Sequence, residues 1–361
     1  MSGVVIVGGG PAGSAAAIAL ARASLHPLLI ERDAVASEKV CGEFLAEDAA
    51  RLLTTLGLDI EALGAVPIRR ALLGAGRART EMPLPFAAWG LPRARLDAAL
   101  LDAAADAGAV VHRGVAVAAA EHDGTGWLLR LAGGEVLAAP HLVLATGKHE
   151  LRGWRRAARG GALGVKLPLV GTMAEAAIAL LACPGGYAGL QPRPGGGANL
   201  CAALDPAAPG AAAAARSAEA FLSHVAGGSV LAERLLGGLR PVLARPLVVA
   251  GVPYGFLHRG LEGNGTEPSR IGDQAAVIPS FCGDGVAMAL SSGLAAAEAL
   301  ARGVPAPAHH AARAAGLAGG MRLAGLLAWL AARAPRLVLG GVAMAPGMAG
   351  WAARRTRLGL V

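Results

Sequence analysis

The sequence predicts an α/β fold with a smaller sheet-based insert and a helical C-terminus, and three stretches carry that expectation. The apolar run Val4-Val5-Ile6-Val7 leads straight into Gly8-Gly9-Gly10-Pro11-Ala12-Gly13. A second apolar run, Pro27-Leu28-Leu29-Ile30, ends in Glu31, and His141-Leu142-Val143-Leu144-Ala145-Thr146-Gly147 reads as a buried strand closed by a glycine turn. With an Ala-rich helix from Ser14 to Ala23, the first two runs make a strand–helix–strand unit. In such a GxGxxG turn the first glycine, Gly8, permits the tight change of direction. Gly10 lets the backbone approach a pyrophosphate, and Gly13 lets helix and strand pack closely. Pro11 and Ala12 open the helix, whose free N–H groups and dipole favour phosphate. Glu31, with Arg32 beside it, falls at the spacing where a carboxylate takes adenosine ribose hydroxyls. The unit is therefore Rossmann-like and reads as a dinucleotide site.

The remaining elements follow in chain order. Residues 92 to 107 read as a helix, and Ala109-Val110-Val111-His112 returns to the parallel sheet. Val115 to Ala119, Trp127 to Leu131 and Glu135 to Leu137 read as a three-strand meander with turns at Asp123-Gly124 and Gly133-Gly134. Strand runs at Gly164 to Val170, Ala188 to Gln191 and Ala198 to Ala203 suggest a second sheet, and residues 210 to 237 look helical. Gly195-Gly196-Gly197 is a turn, so no second dinucleotide unit follows a strand in the middle of the chain. The expected division is 1–150 with 266–302 for the nucleotide domain, 151–265 for a substrate domain and 303–361 for a C-terminal helical segment.

Arg270-Ile271-Gly272-Asp273-Gln274, then Pro279-Ser280-Phe281-Cys282-Gly283-Asp284-Gly285 and a long small-residue helix from Val286 to Arg302, resemble the second FAD signature of flavoproteins with the para-hydroxybenzoate hydroxylase fold. The resemblance implies that Gly272 and Asp273 bind the ribityl chain. It places Gly283, Asp284, Gly285 and Val286 beside the flavin, where a helix N-terminus stabilises negative charge on the reduced ring. Arg93-Ala94-Arg95-Leu96-Asp97 and Leu100 resemble that family's Arg-x-x-x-Asp-x-x-Leu helix start, with Arg93 toward the cofactor, and Ala145 and Gly147 resemble its Ala-Thr-Gly closure. Lys39-Val40-Cys41-Gly42-Glu43 is similar to a segment of the geranylgeranyl reductase branch, which implies that Lys39 and Cys41 lie near the isoalloxazine. Ser291-Ser292-Gly293 is similar to that branch as well. Its aromatic Tyr-x-Trp-x-Phe-Pro segment is here Tyr187-Ala188-Gly189-Leu190-Gln191-Pro192, so the pocket is expected to differ.

The formal net charge of +8 has a local origin. Eight of the 33 basic residues (Arg302, Arg313, Arg322, Arg333, Arg336, Arg354, Arg355 and Arg357) follow Ala299, where no acid occurs, leaving 25 against 25 acidic residues before it. Beside them Leu323, Leu326, Leu327 and Leu330 repeat at helical spacing, and they are expected to face the core as part of a C-terminal helix pair. Arg333, Pro335, Arg336 and Pro346 interrupt any membrane span. Such a basic apolar segment suits a membrane surface or an acidic carrier protein. Nucleic acid is not an expected partner, because aromatic residues are only 3% of the chain and offer no stacking platform. Cys41, Cys183, Cys201 and Cys282 show no CxxC pair and no metal spacing, which suits a reducing cytoplasm and no resident metal.

Most of residues 1–302 is similar to flavin monooxygenases and geranylgeranyl-reductase-like enzymes, some of which act on aromatic polyketides. That similarity implies FAD as cofactor, NAD(P)H as a transient donor and a hydrophobic small-molecule substrate. Hydroxylation of an aromatic ring leads, hydride transfer to a C=C bond is the alternative, and a non-catalytic flavin-binding protein is the third reading. A halogenase is not expected, since no Trp-x-Trp-x-Ile-Pro segment occurs. His149 and Tyr187 are the acid/base candidates.

Overall fold

The computed structural model describes residues 3–158, 160–173, 176–260 and 266–357. Two sheets organise it. The first has five parallel strands in the order Ser269–Arg270, His141–Leu144, Val4–Val7, Leu28–Glu31 and Val110–Arg113. Parallel strands need crossovers, and the Pro11–Arg22 helix supplies the first of them. That helix packs on Gly285–Ala301 with backbones nearly touching: a Cβ on Gly293 would lie 2.2 Å from the Ala12 carbonyl oxygen. The helix starts at Pro11 and Gly285 both border one cavity. Val117–His122, Trp127–Leu131 and Val136–Ala139 form the expected meander.

The second sheet has nine strands. Its path runs Arg240–Pro241, Ala162–Val170, Ala198–Leu204, Gly186–Pro192, Ala177–Cys183, Val66–Ala75, Ala78–Gly90 and Phe44–Ala46, with Leu247–Val252 also paired to Ala162–Val170. A substrate domain drawn as 151–265 thus lacks the long hairpin of residues 66–90, which lies far earlier in the chain. A register shift between Ile68 and Arg70 breaks the alternation that would have marked the hairpin as strand. Under the sheet, residues 210 to 237 are three short helices, because Ser217 and Ser229 each cap a new one by accepting a backbone N–H. They bury Phe221, Val225 and Leu236 against Val165, Leu167 and Leu200.

The C-terminus holds three helices, Ala306–Arg333, Pro335–Met344 and Pro346–Arg355, where a pair was expected. Pro335 and Pro346 sit at helix starts, where a missing N–H costs nothing, and each halts the helix before it. The inward stripe of the long helix is His310, Ala314, Leu317, Met321 and Ala324. Leu326 and Leu330 lie across the helix from Ala324 and are exposed, so the leucine repeat does not supply the buried face.

Candidate functional site

The glycine turn after Val7 is as tight as its sequence suggests. Gly8 has φ +109°, and a Cβ there would lie 2.4 Å from the Ala145 carbonyl oxygen. A Cβ on Gly13 would lie 1.9 Å from the Gly8 oxygen, so helix and turn could not approach. At Gly10, by contrast, a Cβ would meet only Arg93 Nη2 at 3.5 Å, and at Gly147 and Gly285 nothing within 4 Å, which leaves backbone open to a ligand. Glu31 Oε2 accepts the Gly9 N–H at 2.6 Å, and Oε1 accepts that of Asp33 at 3.0 Å. A carboxylate is thereby fixed at the strand end beside the turn.

Between the sheets lies a cavity of about 200 Å³. Gly10, Pro11, Ala12, Cys41, Arg93, Ala145, Gly147, Gly272, Asp273, Gly283, Gly285 and Val286 line it, so the three motifs separated in sequence meet in one place. Gly164, Cys201, Ala202 and Val249 close it from the second sheet. The start of the 17-residue Gly285–Ala301 helix faces in, and its first N–H groups have no partner within the helix. Arg93 binds Asp97 through two bonds of 2.8 Å. Burial alone would lower the Arg93 pKa, but Asp97 and the Cys41 sulfur outweigh it and hold the guanidinium above its ordinary value.

Lys148, which the sequence did not single out, stands 3.2 Å from Asp273 Oδ2 and lines the same cavity. The Asp273 charge raises the Lys148 pKa against the opposing effect of burial. Also unforeseen is the clamp on the Lys39–Glu43 loop. Lys166, fully buried, reaches Glu38 and Glu43 at 2.5 Å each. Burial pushes the Glu43 carboxyl up, and Lys166 pulls it back. Gln191 donates to the Glu43 carbonyl at 2.8 Å, and Asn199 to those of Cys41 and Gly42 at 3.1 and 2.9 Å. The glutamine that replaces an aromatic residue in the reductase-like segment thus positions the cysteine loop.

Four expected residues take other places. Asp284 is buried beneath the cavity wall and bonded to Arg357 at 3.3 Å, so it holds the C-terminus and does not line the cavity. Lys39 pairs with Asp33, and Arg32 lies on the surface at 3.6 Å from the same carboxylate. His149 is exposed against Arg32 at 2.9 Å, away from the cavity, and burial of its ring with nearby cations lowers its pKa. His149 does not line the cavity.

Tyr187 lies one residue behind the wall. Its hydroxyl bonds Ser280 Oγ, and Tyr254 donates to the same oxygen at 2.9 Å. The chain has two tyrosines, and both converge on this one serine. Ser280 and Tyr254 line the cavity. Burial pushes the Tyr254 phenol up to about 12, and it raises Tyr187 well above the usual value. Val252 and Tyr254 also border a wider cleft of about 760 Å³ that includes Phe256 and His258.

His258, Glu267 and His310 form a cluster of metal-type side chains, but hydrogen bonds define it. His310 Nε2 accepts the Arg270 N–H at 2.9 Å, so Nδ1 carries the ring proton and donates it to Glu267 at 2.9 Å.

Residues 1–155 match the family described as FAD binding domain. This stretch is an FAD-binding domain. Its cofactor is FAD, and the open backbone at Gly10, Gly147 and Gly285 together with Asp273 and Arg93 fits that group. The chain has curated relatives over part of its length. Menaquinone reductase of Mycolicibacterium smegmatis is 30% identical over 157 residues, 42% of this chain and 38% of that protein. Menaquinone reductase of Mycobacterium tuberculosis is 33% identical over 151 residues, 40% of this chain and 37% of that protein. The chain thus spans under two fifths of the length of these relatives. Over most of the chain the fold is similar to that of solved flavin-dependent proteins. The flavin-dependent brominase Bmp2 has a TM-score of 0.79 at 19% identity, covering 99% of this chain and 93% of its own. A geranylgeranyl bacteriochlorophyll reductase-like protein from Thermoplasma acidophilum has a TM-score of 0.66 at 19% identity, covering 85% and 80%.

Proposed function

We propose that this flavoprotein is an FAD-dependent oxidoreductase, and specifically a monooxygenase that hydroxylates the ring of an apolar, phenol-bearing molecule. The observation that carries the reading is the Tyr254–Ser280–Tyr187 hydroxyl cluster in the wall of an otherwise apolar pocket end formed by Val249, Val252, Val277 and Ile278. When bound, FAD supplies the redox chemistry by which oxygen is activated. The chain's own residues would do three things. Arg93, Lys148, Asp273 and the two helix starts would hold the cofactor; the valines and Ile278 would exclude water; and the hydroxyl cluster would relay the phenol proton to and from solvent in the wider cleft that Tyr254 also borders. A neutral hydroxyl relay suits this role, because a buried carboxylate would cost more to keep beside an apolar ring. NAD(P)H would reduce the flavin during a transient visit to the wider cleft bordered by Val252 and Tyr254.

The test is oxygen uptake with isotope-labelled dioxygen and an alkyl phenol, NADPH or NADH being supplied as reductant. One labelled oxygen atom in the product supports the reading. Turnover that continues without oxygen favours reduction of a C=C bond, a second reading motivated by the likeness to menaquinone reductases over 157 and 151 residues and by the Cys41 loop. A yellow protein with neither activity would be a flavin carrier.

A further inference from the structure

The surface of the three C-terminal helices is unlike the rest of the molecule. Large apolar side chains stand in solvent: Leu326, Trp329, Leu337, Met344, Met348 and Trp351. Leu337 and Met344 are 78% and 88% exposed, far beyond an isolated surface leucine. Their spacing of three, four, seven or eight residues continues through both proline breaks, with Arg322 at one end and Arg355 at the other. Two arginines lie on the exposed indoles, Arg333 at 4.7 Å over Trp329 and Arg355 at 5.6 Å over Trp351. No acid occurs after Glu298, and Glu81, in the strand beneath, is already paired with Arg70 at 3.4 Å.

We propose that this face docks on the surface of an anionic lipid bilayer. An acid-free face on which exposed apolar side chains alternate with arginines complements an anionic headgroup layer above an acyl interior. Leu337, Met344 and Met348 would enter the acyl boundary, the indoles of Trp329 and Trp351 would sit at headgroup depth, and the stacked arginines would meet lipid phosphates. The long helix lies along the bilayer and does not cross it, because its His310–Ala324 stripe is held in the protein core. The docked face is also joined to the flavin cavity: six residues beyond Trp351, Arg357 donates to the Cys282 and Gly283 carbonyls at the cavity loop. A lipid-soluble substrate would then meet the enzyme at the membrane surface. This inference stands on the surface alone and survives either assignment of the reaction.

The full-length flavoprotein is incubated with vesicles of phosphatidylcholine containing phosphatidylglycerol, and bound protein is separated by flotation. Binding is expected to rise with phosphatidylglycerol, to weaken as salt screens the arginines, and to shift Trp emission to the blue. Leu337→Asp with Met344→Asp and Met348→Asp should reduce binding by about tenfold or more while flavin content and melting temperature stay unchanged. Arg333→Glu with Arg355→Glu should do the same on anionic vesicles only. The proposal is overturned if vesicles do not bind or if the aspartate variant binds as well as the parent. Equal binding to poly-glutamate that the aspartate variant retains would assign the face to an acidic protein instead. A concentration-dependent dimer that the aspartate variant abolishes, with no vesicle binding, would assign it to a second copy of the chain.

Discussion

Arg357 Nη1 lies 3.3 Å from Asp284 Oδ1, and its Nη2 donates to the Cys282 carbonyl at 2.7 Å, so the last described residue is held against the loop that starts the cavity-lining Gly285–Ala301 helix. The guanidinium also covers the Phe86 ring at 4.3 Å, which joins the same arginine to the second sheet. Arg357→Ala should lower stability by about 1.5–3 kcal/mol, the scale of a hydrogen bond to a charged group. It should also loosen FAD, because the loop at Gly283 and Gly285 loses its support. Thermal melts with flavin release as the second signal decide this; an unchanged melt would remove the structural role given to Arg357.

Asp273→Ala should release or weaken FAD. Asp273 and Lys148 are paired at 3.2 Å within the cavity, so the substitution removes a ribityl acceptor and leaves a cation beside the site. The flavin-to-protein absorbance ratio after gel filtration reads the outcome. Full occupancy would show that Asp273 does not hold the cofactor.

Ser280→Ala and Tyr254→Phe should each lower kcat by about a hundredfold, the lower range for loss of a positioned acid or base, with FAD content unchanged. Burial holds the Tyr254 phenol at about 12. The kcat profile should therefore show no alkaline limb from this phenol below that pH. A variant that keeps its kcat, or loses only KM, would limit the cluster to substrate binding.

Stability should fall with acid. Burial, with His310 and Arg313, lowers His309 to about 4. A histidine depressed in the fold binds its proton more readily when unfolded, so stability is complete above its ordinary value near 6.5 and is lost as pH falls through that range. Glu267 is lowered to about 2 by its bonds to His258 and His310, which outweigh burial, and its contribution is lost from about 4.5 downward. Both act in the same direction. Urea melts between pH 7.5 and 4 should show the decline, and His309→Gln should flatten its upper part; an equal slope in the variant would exclude His309.

Lys166→Met should destabilise the protein by about 3 kcal/mol, because Glu43 stays buried with only Arg193, at 3.4 Å, left to offset its charge. Adding Glu43→Gln should recover part of the loss. Chemical denaturation of the single and double variants measures the coupling, and additive effects would show that the pair does not act together.

Much of the cofactor site was legible because it is local backbone chemistry. Gly8 and Gly13 declare a turn that other residues cannot make, Gly10 leaves the backbone between them open, and Glu31 follows after one helix and one strand. Asp284 was misplaced because a motif assigns a residue to a neighbourhood without saying which way its side chain turns. His149 failed for a related reason: closeness in sequence to Gly147 did not bring its ring to the cavity. The hairpin at residues 66–90 escaped notice because a register shift and one exposed face removed its period.

The sequence by itself determined the Rossmann-like unit, the three meeting motifs and the basic, acid-free C-terminus, since each depends on residue type at short range. Tertiary structure decided that two tyrosines 67 positions apart share Ser280, and that Lys166 closes on Glu38 and Glu43 across 128 and 123 residues. It also decided that the C-terminal leucines at 326 and 330 face outward. A helical period shows that one face is apolar, but which face is buried depends on where the neighbouring elements lie, and only packing settles that.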